Sequence, residues 1–277
     1  MGHAELLMLC PSRNRPDSIA ELIITWCQTA SGRSKLLAAV DDDDPKIQDY
    51  RHVENDLAGL SENGDRVEFV YGPRLRLGGT LDALAARYAP DHFAIGFLGD
   101  DHRPRTYGWD QAFLDALGRH GTGMVYGNDL LQGRNLPTAI AMTSNIPLAL
   151  GYFAPPGCTH LFFDNAWLQI GKSLHAITYL DDVVLEHMHP LAGKADADAG
   201  YVEVNSAAMY GHDQQAYQEW IRSGEFTAGV RRVRAVAAFA QMRGQLAAEE
   251  SAGTWSPIGI TTEPDVYTDD PMRGDPR

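Results

Sequence analysis

Adjacent carboxylate and imidazole side chains at one point of the chain have the chemistry of a cation site. Asp100, Asp101 and His102 follow directly on the apolar segment 93–98, so they stand at the end of a predicted buried strand. Two or three such ligands can bind Mg²⁺ or Mn²⁺, and the bound cation would neutralise a diphosphate. A solvated turn before Pro104 is the competing interpretation, and the spacing fits both.

A pair of histidines, His187 and His189, forms a second candidate metal-binding cluster. If this segment is extended, both imidazoles point to the same face, because side chains alternate along a strand. A zinc hydrolase would carry further ligands at a spacing such as H-E-x-x-H. The sequence contains no such motif, which argues against a zinc hydrolase, and a purely structural role for the two histidines stays open.

Asp164 is the candidate catalytic carboxylate. It follows the aromatic pair Phe162-Phe163, and an apolar neighbourhood raises a carboxylate pKa and improves it as a general base near neutral pH. The alternative is a helix N-cap, because residues 164–171 resemble a short helix with Gly171 just past its end.

Strands and helices must position these residues, and they alternate along the first half of the chain. Apolar segments predict five strands, at residues 6–10, 35–40, 67–71, 93–98 and 124–126. Amphipathic segments between them predict helices. We therefore expect an α/β fold with a mostly parallel central sheet flanked by helices. After residue 126 the pattern is irregular, with a further strand predicted at 174–179.

Charged and turn-forming residues follow four of the predicted strands. They are Pro11-Ser12-Arg13, Asp41–Asp44, Gly72–Gly79 with Arg74, and Asp100–His102. Ligands of an open parallel sheet bind beyond the carboxyl ends of its strands. We therefore expect Ser12, Asp41, Arg74 and Asp101 to share one cleft. Segment 72–79 lacks the G-K-[ST] ending of a P-loop.

The composition limits the class of partner. The chain has 277 residues, of which 44% are hydrophobic, which permits one large domain. Its net charge of −14 argues against general nucleic-acid or anionic-membrane binding. Three scattered cysteines provide no disulfide framework. Without a leader-like start or an apolar run of about 20 residues, we expect a cytoplasmic protein.

The order of these motifs resembles the GT-A glycosyltransferases, in particular family-2-like nucleotide-diphospho-sugar transferases. The resemblance covers roughly residues 5–190. The matching segments are the opening strand and nucleotide loop at 10–16, the acidic base-and-ribose motif at 40–44, the diphosphate-crossing segment at 72–83 and the DxD region at 97–102.

The resemblance implies roles for individual residues. The donor site would comprise Pro11, Ser12, Arg13, Arg15, Asp41, Asp43, Arg74, Gly78, Asp100 and Asp101. A Mn²⁺ or Mg²⁺ ion would be bound by Asp101 with His102, His187 or His189. Asp164 would be the acceptor-side base. Two positions depart from the family pattern, because His102 replaces the last DxD carboxylate and Asp164-Asn165 replaces the usual Glu-Asp pair.

The implied activity is hexosyl transfer (EC 2.4) from a UDP- or GDP-sugar to an acceptor hydroxyl, inverting if Asp164 is the base. The acceptor stays open among glycans, small molecules, proteins and modified nucleic-acid bases. Two alternatives stay open as well. One is a nucleotidyltransferase, which would carry a glycine-rich loop and a lysine near the first strand; the other is a non-catalytic domain that binds a nucleotide or glycan.

The expected organisation is a GT-A domain over residues 1–225, with a nucleotide-sugar half at about 1–125 and an acceptor half at about 126–225. A C-terminal helix at 226–250 and a flexible tail at 251–277 would follow, because the tail has four prolines and little apolar content.

Overall fold

The computed structural model describes residues 5–57, 64–119 and 121–251. The chain divides into two units, residues 1–239 and 240–277, and the sheet belongs to the first. The tail predicted from residue 251 onward lies outside the described residues, apart from Ser251. Among the described helices, none has both the length and the apolar character needed to cross a membrane.

The described residues form eight strands in one sheet. These are β1 Leu6–Ser12, β2 Ser34–Asp41, β3 Val67–Gly72, β4 Ala94–Phe97, β5 His102–Pro104, β6 Met124–Asn128, β7 Ile140–Thr143 and β8 Ile177–His187. Their order is β3-β2-β1-β4-β7-β6-β8-β5. Strands β3, β2, β1 and β4 are parallel neighbours, and β6 and β8 also pair in parallel. The pairs β4–β7, β6–β7 and β5–β8 are antiparallel.

Helices of the first unit flank this sheet. They are α1 Pro16–Thr29, α2 Ile47–Asp56, α3 Arg76–Tyr88, α4 Trp109–Gly118, α5 Asn145–Leu150, α6 Phe163–Leu174, α7 Ala199–Val204 and α8 Ala207–Arg222. A ninth helix, α9 Gly224–Ser251, begins in the first unit and ends in the second. The predicted α/β class with a mostly parallel, helix-flanked sheet is confirmed. The sheet is nevertheless mixed, because β7 pairs antiparallel with both β4 and β6 and joins the two parallel groups, while β5 pairs antiparallel with β8 at the edge.

Successive side chains of β1 point to opposite faces of the sheet and pack into two different hydrophobic clusters. Leu6, Met8 and Cys10 pack into the cluster that contains Trp26 and Trp109. Leu7 and Leu9 point the other way, into a cluster built around α3, α6 and α8. Both faces of the central strands are therefore buried, which explains why their sequences are continuous apolar runs.

The end of α6 differs from the sequence-based expectation. Gly171 lies inside the helix, which continues to Leu174 and ends with His175 in the left-handed conformation (φ 55°). A Cβ on Gly171 would lie 2.6 Å from the Cβ of Ile177, so this glycine allows close packing of α6 on β8. The predicted strand at 174–179 begins later and continues to His187.

Candidate active site

An open cleft of about 540 Å³ lies beyond the carboxyl ends of β1 to β4. Parallel register places Ser12 opposite Val40 and Asp41 opposite Gly72, so these strand ends share one edge. The predicted site residues that line the cleft are Pro11, Ser12, Arg13, Arg15, Asp41, Arg74, Asp100, Asp101, His102, Asp164, His187 and His189. The structure therefore brings together the residues that the strand ends were expected to gather.

Two predicted donor-site residues, Asp43 and Gly78, are not among those lining the cleft. The Asp43 carboxylate accepts a hydrogen bond from Arg13 Nη1, which also donates to Asp41 at 2.8 Å. Gly78 lies in α3, and a Cβ there would be 2.8 Å from the carbonyl oxygen of Cys158. Asp43 thus orients the Arg13 side chain. Gly78, which has no Cβ, allows the loop that precedes α6 to pack closely against α3.

Buried hydrogen bonds fix the loop after β1. Ser12 Oγ donates to Asp100 Oδ2 at 2.6 Å and lies 2.8 Å from the Tyr50 hydroxyl. That hydroxyl also accepts the Arg15 backbone N–H at 2.8 Å. The Asp44 carboxylate accepts the N–H of Asn14 at 2.7 Å. The Arg13 and Arg15 side chains therefore project from a rigid support.

Four arginines line the cleft, and three of them pair with a carboxylate on or beside α7. Arg15 holds Asp198 through two hydrogen bonds of 2.7 and 2.8 Å. Glu203 accepts from Arg76 and lies 3.5 Å from Arg74 Nη2. The sequence did not single out Arg76, although it belongs to the glycine-containing segment. Planar guanidinium groups of this kind also bind phosphate oxygens.

Backbone strain is concentrated at this cleft. Asn14, Arg76 and Phe162 have positive φ angles of 61°, 61° and 67°, and all three line the cleft. A left-handed backbone is costly for residues other than glycine and persists where the surrounding structure imposes it, commonly at functional sites.

Asp101, His102 and His187 form a candidate metal-binding group, with one ligand atom from each inside a span of 4.8 Å. Asp101 Oδ1 lies 3.3 Å from His102 Nδ1, and Asp101 Oδ2 lies 3.3 Å from His187 Nε2. The imidazoles stack at 4.3 Å, because β5 and β8 pair His102 with His187. Nδ1 of each histidine is buried and has no hydrogen-bond partner among the described residues.

His189 lies outside this group. Its Nδ1 accepts the Leu191 backbone N–H at 3.2 Å, while burial and nearby His187 lower its pKa. A neutral His189 with an accepting Nδ1 carries its proton on Nε2. That nitrogen is then a hydrogen-bond donor, so the geometry favours His102 and His187 as metal ligands.

Asp129 and Thr138 support the two imidazoles, and sequence reasoning missed both. Thr138 Oγ1 donates to Asp129 Oδ2 at 2.8 Å and lies 3.4 Å from His102 Nε2. The Asp129 carboxylate lies 3.9 Å from His187 Nδ1. Such outer partners orient metal-binding histidines. The one available sequence signal was the position of Asp129 directly after β6.

The pKa values of the adjacent carboxyls Asp100 and Asp101 are shifted in opposite directions. Burial, reinforced by the charge of Asp101, raises the pKa of Asp100 to about 6. Burial also acts to raise the pKa of Asp101, but the neighbouring imidazoles of His102 and His187 outweigh it and hold that pKa well below its usual value. Asp101 is therefore the more acidic of the two carboxyls, while Asp100 fixes the loop after β1.

Asp164 is the second residue of α6, whose N-cap position is Phe162. Asp164 is therefore not the N-cap residue, although its carboxylate accepts the N–H of Asn165 at 2.8 Å. Burial raises the pKa of Asp164. A carboxyl with these properties at the wall of a cleft suits proton transfer.

A fully buried carboxylate, Asp213 of α8, anchors the loop that leads into α6. It accepts three consecutive backbone N–H groups, from Thr159 at 2.9 Å and from His160 and Leu161 at 2.7 Å each. These bonds, with His212, outweigh the effect of burial and lower the pKa of Asp213. The loop position therefore depends on an ionised Asp213.

Comparison with solved structures identifies the fold, whereas no protein-family model and no curated protein matches the sequence. The mannosyltransferase PcManGT from Pyrobaculum calidifontis, in complex with GDP-Man and Mn²⁺, is 13% identical and superposes with a TM-score of 0.57. The match covers 91% of this chain and 81% of that one. The chain has the GT-A fold. The GT-A assignment agrees with the cleft at the carboxyl edge of the sheet.

Two further solved structures match the chain to different degrees. Glucosyl-3-phosphoglycerate synthase from Mycobacterium tuberculosis, in complex with Mg²⁺ and UDP, matches with a TM-score of 0.51 and 13% identity over 79% of each chain. S. aureus TarS matches over 78% of this chain, with 13% identity and a TM-score of 0.48. This chain covers 43% of the TarS chain, and that likeness is too low to carry an argument.

The anchoring role of Asp213 predicts a pH-dependent effect on stability. Replacing Asp213 with Asn should lower the free energy of unfolding at pH 7 by about 2–3 kcal/mol, because charge-assisted hydrogen bonds are lost. A lowered folded-state pKa stabilises the protein above the unfolded value of about 3.9, and this contribution disappears as pH falls through the folded pKa. The difference between the two proteins should therefore shrink below about pH 4.

Urea unfolding of both proteins between pH 3 and pH 7 measures this difference. Asp115→Asn, at an exposed position on α4, is the matched control and should change stability by less than about 0.5 kcal/mol. An Asp213→Asn effect that stays constant across this pH range would contradict the role of the ionised carboxylate.

Proposed function

We propose that this chain is a metal-dependent glycosyltransferase of the hexosyltransferase type, which moves a sugar from a nucleoside-diphosphate sugar to an acceptor hydroxyl. The observation that carries the proposal is the shared cleft. It combines the Asp101–His102–His187 group, four arginines and the partly buried carboxyl of Asp164. The GT-A fold supports the proposal, and two neighbours with that fold were solved with GDP-Man and with UDP.

The donor would lie along the carboxyl edge of the sheet. Asp41, held by Arg13 at 2.8 Å, is placed to accept hydrogen bonds from the nucleoside. Arg15, Arg74 and Arg76 would bind the diphosphate and stabilise the negative charge that develops on it during transfer. In this arrangement the nucleoside would lie at the end of β2, and the diphosphate would lie near the loops that follow β1 and β3.

The residues at the proposed cation site suit a divalent metal ion. One carboxylate and two imidazoles with unpartnered buried nitrogens form a mixed oxygen and nitrogen set. Such a set suits Mn²⁺ better than Mg²⁺, because Mg²⁺ prefers oxygen ligands throughout. When bound, the ion would supply Lewis-acid stabilisation of the leaving diphosphate.

Asp164 is the proposed general base. It would take the proton of the acceptor hydroxyl while that oxygen forms a bond to the anomeric carbon. The bond from the anomeric carbon to the diphosphate oxygen breaks at the same time, and the diphosphate leaves with the electron pair. One displacement of this kind inverts the anomeric configuration, and the raised pKa of Asp164 suits the proton transfer.

The acceptor would approach from the irregular half of the chain, where aromatic rings meet the cleft. Phe162 and Tyr201 line it. Phe162 packs against Tyr210 and Tyr217 at centroid distances of 5.2 and 5.6 Å, and Tyr201 packs against His189 at 5.3 Å. Glycans, small molecules, proteins and modified bases all stay acceptor candidates.

A donor panel tests the proposed function. The full chain is incubated with UDP-, GDP- and dTDP-sugars and Mn²⁺, and release of nucleoside diphosphate is measured. Release from one donor, abolished by a chelator, is the expected result. Pyrophosphate release from a nucleoside triphosphate and a sugar phosphate would instead identify a nucleotidyltransferase. Binding without turnover, with or without added acceptors, would indicate a non-catalytic domain.

The metal assignment predicts a specific loss in Asp101→Asn. Mn²⁺ should tighten the binding of UDP or GDP to the wild-type protein, because cation and phosphate share ligands. The variant should lose at least about 10-fold of this metal-dependent affinity. Calorimetric titrations with and without Mn²⁺ measure it, with Asp115→Asn as control. Unchanged metal-dependent binding in Asp101→Asn would remove this residue from the site.

The base assignment predicts a rate effect in Asp164→Asn that is separate from donor binding. The variant should bind the nucleotide as wild type does and should melt at nearly the same temperature. It should transfer sugar roughly 10²–10⁴-fold more slowly, the usual contribution of a general base. Full activity in the folded variant would remove Asp164 from the mechanism, and a large stability loss with normal turnover would leave Asp164 a structural role. The sequence also offers Asp181 and Asp182 as bases, but neither lines the cleft.

A further inference from the structure

His160 lines the cleft on the loop that precedes α6. The buried Asp213 carboxylate fixes its backbone through the N–H groups of Thr159, His160 and Leu161. Its imidazole makes no hydrogen bond with any other described residue. The fold therefore holds this side chain in place at the cleft wall while its ring nitrogens stay available to a ligand.

The surroundings of His160 locate it along the proposed reaction axis. Arg15, Arg76 and Asp101 are close enough for their charges to influence its pKa, and Asp164 follows four residues later in the sequence. The transferred sugar must lie between the diphosphate, which the arginines would hold, and the base. His160 lines the same cleft as these groups, so its imidazole can reach a sugar bound there.

The protonation state of the His160 imidazole determines which ligand groups it can hydrogen-bond. Burial lowers the pKa of His160 to about 4, and nearby Arg15 and Arg76 act in the same direction. A neutral imidazole has one N–H donor and one accepting nitrogen. A hydroxyl, which both donates and accepts, matches this pair. An ionised phosphate only accepts, and the arginines already provide cationic donors for it.

We infer that His160 is a specificity-determining residue whose imidazole hydrogen-bonds a hydroxyl of the donor sugar. The inference rests on the proposed glycosyltransferase function and extends it to the recognition of the sugar. The inference distinguishes two kinds of contact in one cleft. The arginines and Asp101 would bind the diphosphate, which the nucleotide and the nucleotide-sugar share. His160 would bind only the sugar.

Paired binding measurements test this separation. The dissociation constants of UDP and UDP-glucose, and of GDP and GDP-mannose, are measured with Mn²⁺ for wild type, His160→Ala and His160→Gln. The pair that the wild-type protein binds is used. His160→Ala should weaken binding of the nucleotide-sugar by about 10-fold, the scale of one or two lost hydrogen bonds. Binding of the nucleoside diphosphate should change by less than about 2-fold.

His160→Gln should recover part of the loss, because an amide also donates and accepts. His52→Ala, at an exposed histidine of α2 outside the cleft lining, is the matched control and should change neither constant. Melting temperatures confirm folding, since the Asp213 anchor uses backbone groups that the substitutions keep.

Each outcome has a definite consequence. Equal losses for the diphosphate and the sugar nucleotide, or no loss for either, would overturn the His160 inference while leaving the proposed function in place. A wild-type protein that binds no nucleotide at all would overturn the proposed function, and the inference with it.

Discussion

The contact of Asp101 with two histidines is the interaction on which the candidate site depends. Asp101 ends the parallel half of the sheet, whereas His187 ends β8 in the mixed half, and their side chains meet at 3.3 Å. Backbone hydrogen bonds hold the same junction, because Met188 N donates to Asp101 O at 2.8 Å and His187 N donates to Asp129 O at 3.0 Å. The metal group is therefore positioned by strand pairing, which is more rigid than a loop.

The sequence was sufficient to predict the parallel half of this arrangement. Buried parallel strands are continuous apolar runs, and their carboxyl ends share one edge, so Ser12, Asp41 and Asp101 could be assigned to one cleft without coordinates. In the mixed half, β6 and the start of β8 were predicted, but β5 and β7 were not. Strands β5 and β7 have three and four residues, which is too short for a recognisable alternation.

Residues that act through tertiary contacts escaped prediction for a related reason. Asp129, Thr138 and Asp213 lie far in sequence from the imidazoles or backbone N–H groups that they position, and each is a residue type common in polar loops and helices. Gly171 was predicted to lie just past the end of the helix, because a glycine near a helix end is a common C-cap. In the structure it lies inside the helix. Here the missing Cβ admits Ile177. A packing requirement of this kind becomes visible only when both elements are placed.

The arginine–carboxylate pairs at α7 follow from the same electrostatics. Without a diphosphate, three guanidinium groups in one cleft repel each other, and Asp198 and Glu203 supply the compensating charge. These carboxylates are 45% and 51% exposed, and exposed ion pairs contribute only about 0–1 kcal/mol each. A diphosphate brings more negative charge to the same donors, so exchange for Asp198 and Glu203 costs little. Under the proposed function, the position of α7, which also carries Tyr201, would therefore depend on whether a donor diphosphate is bound.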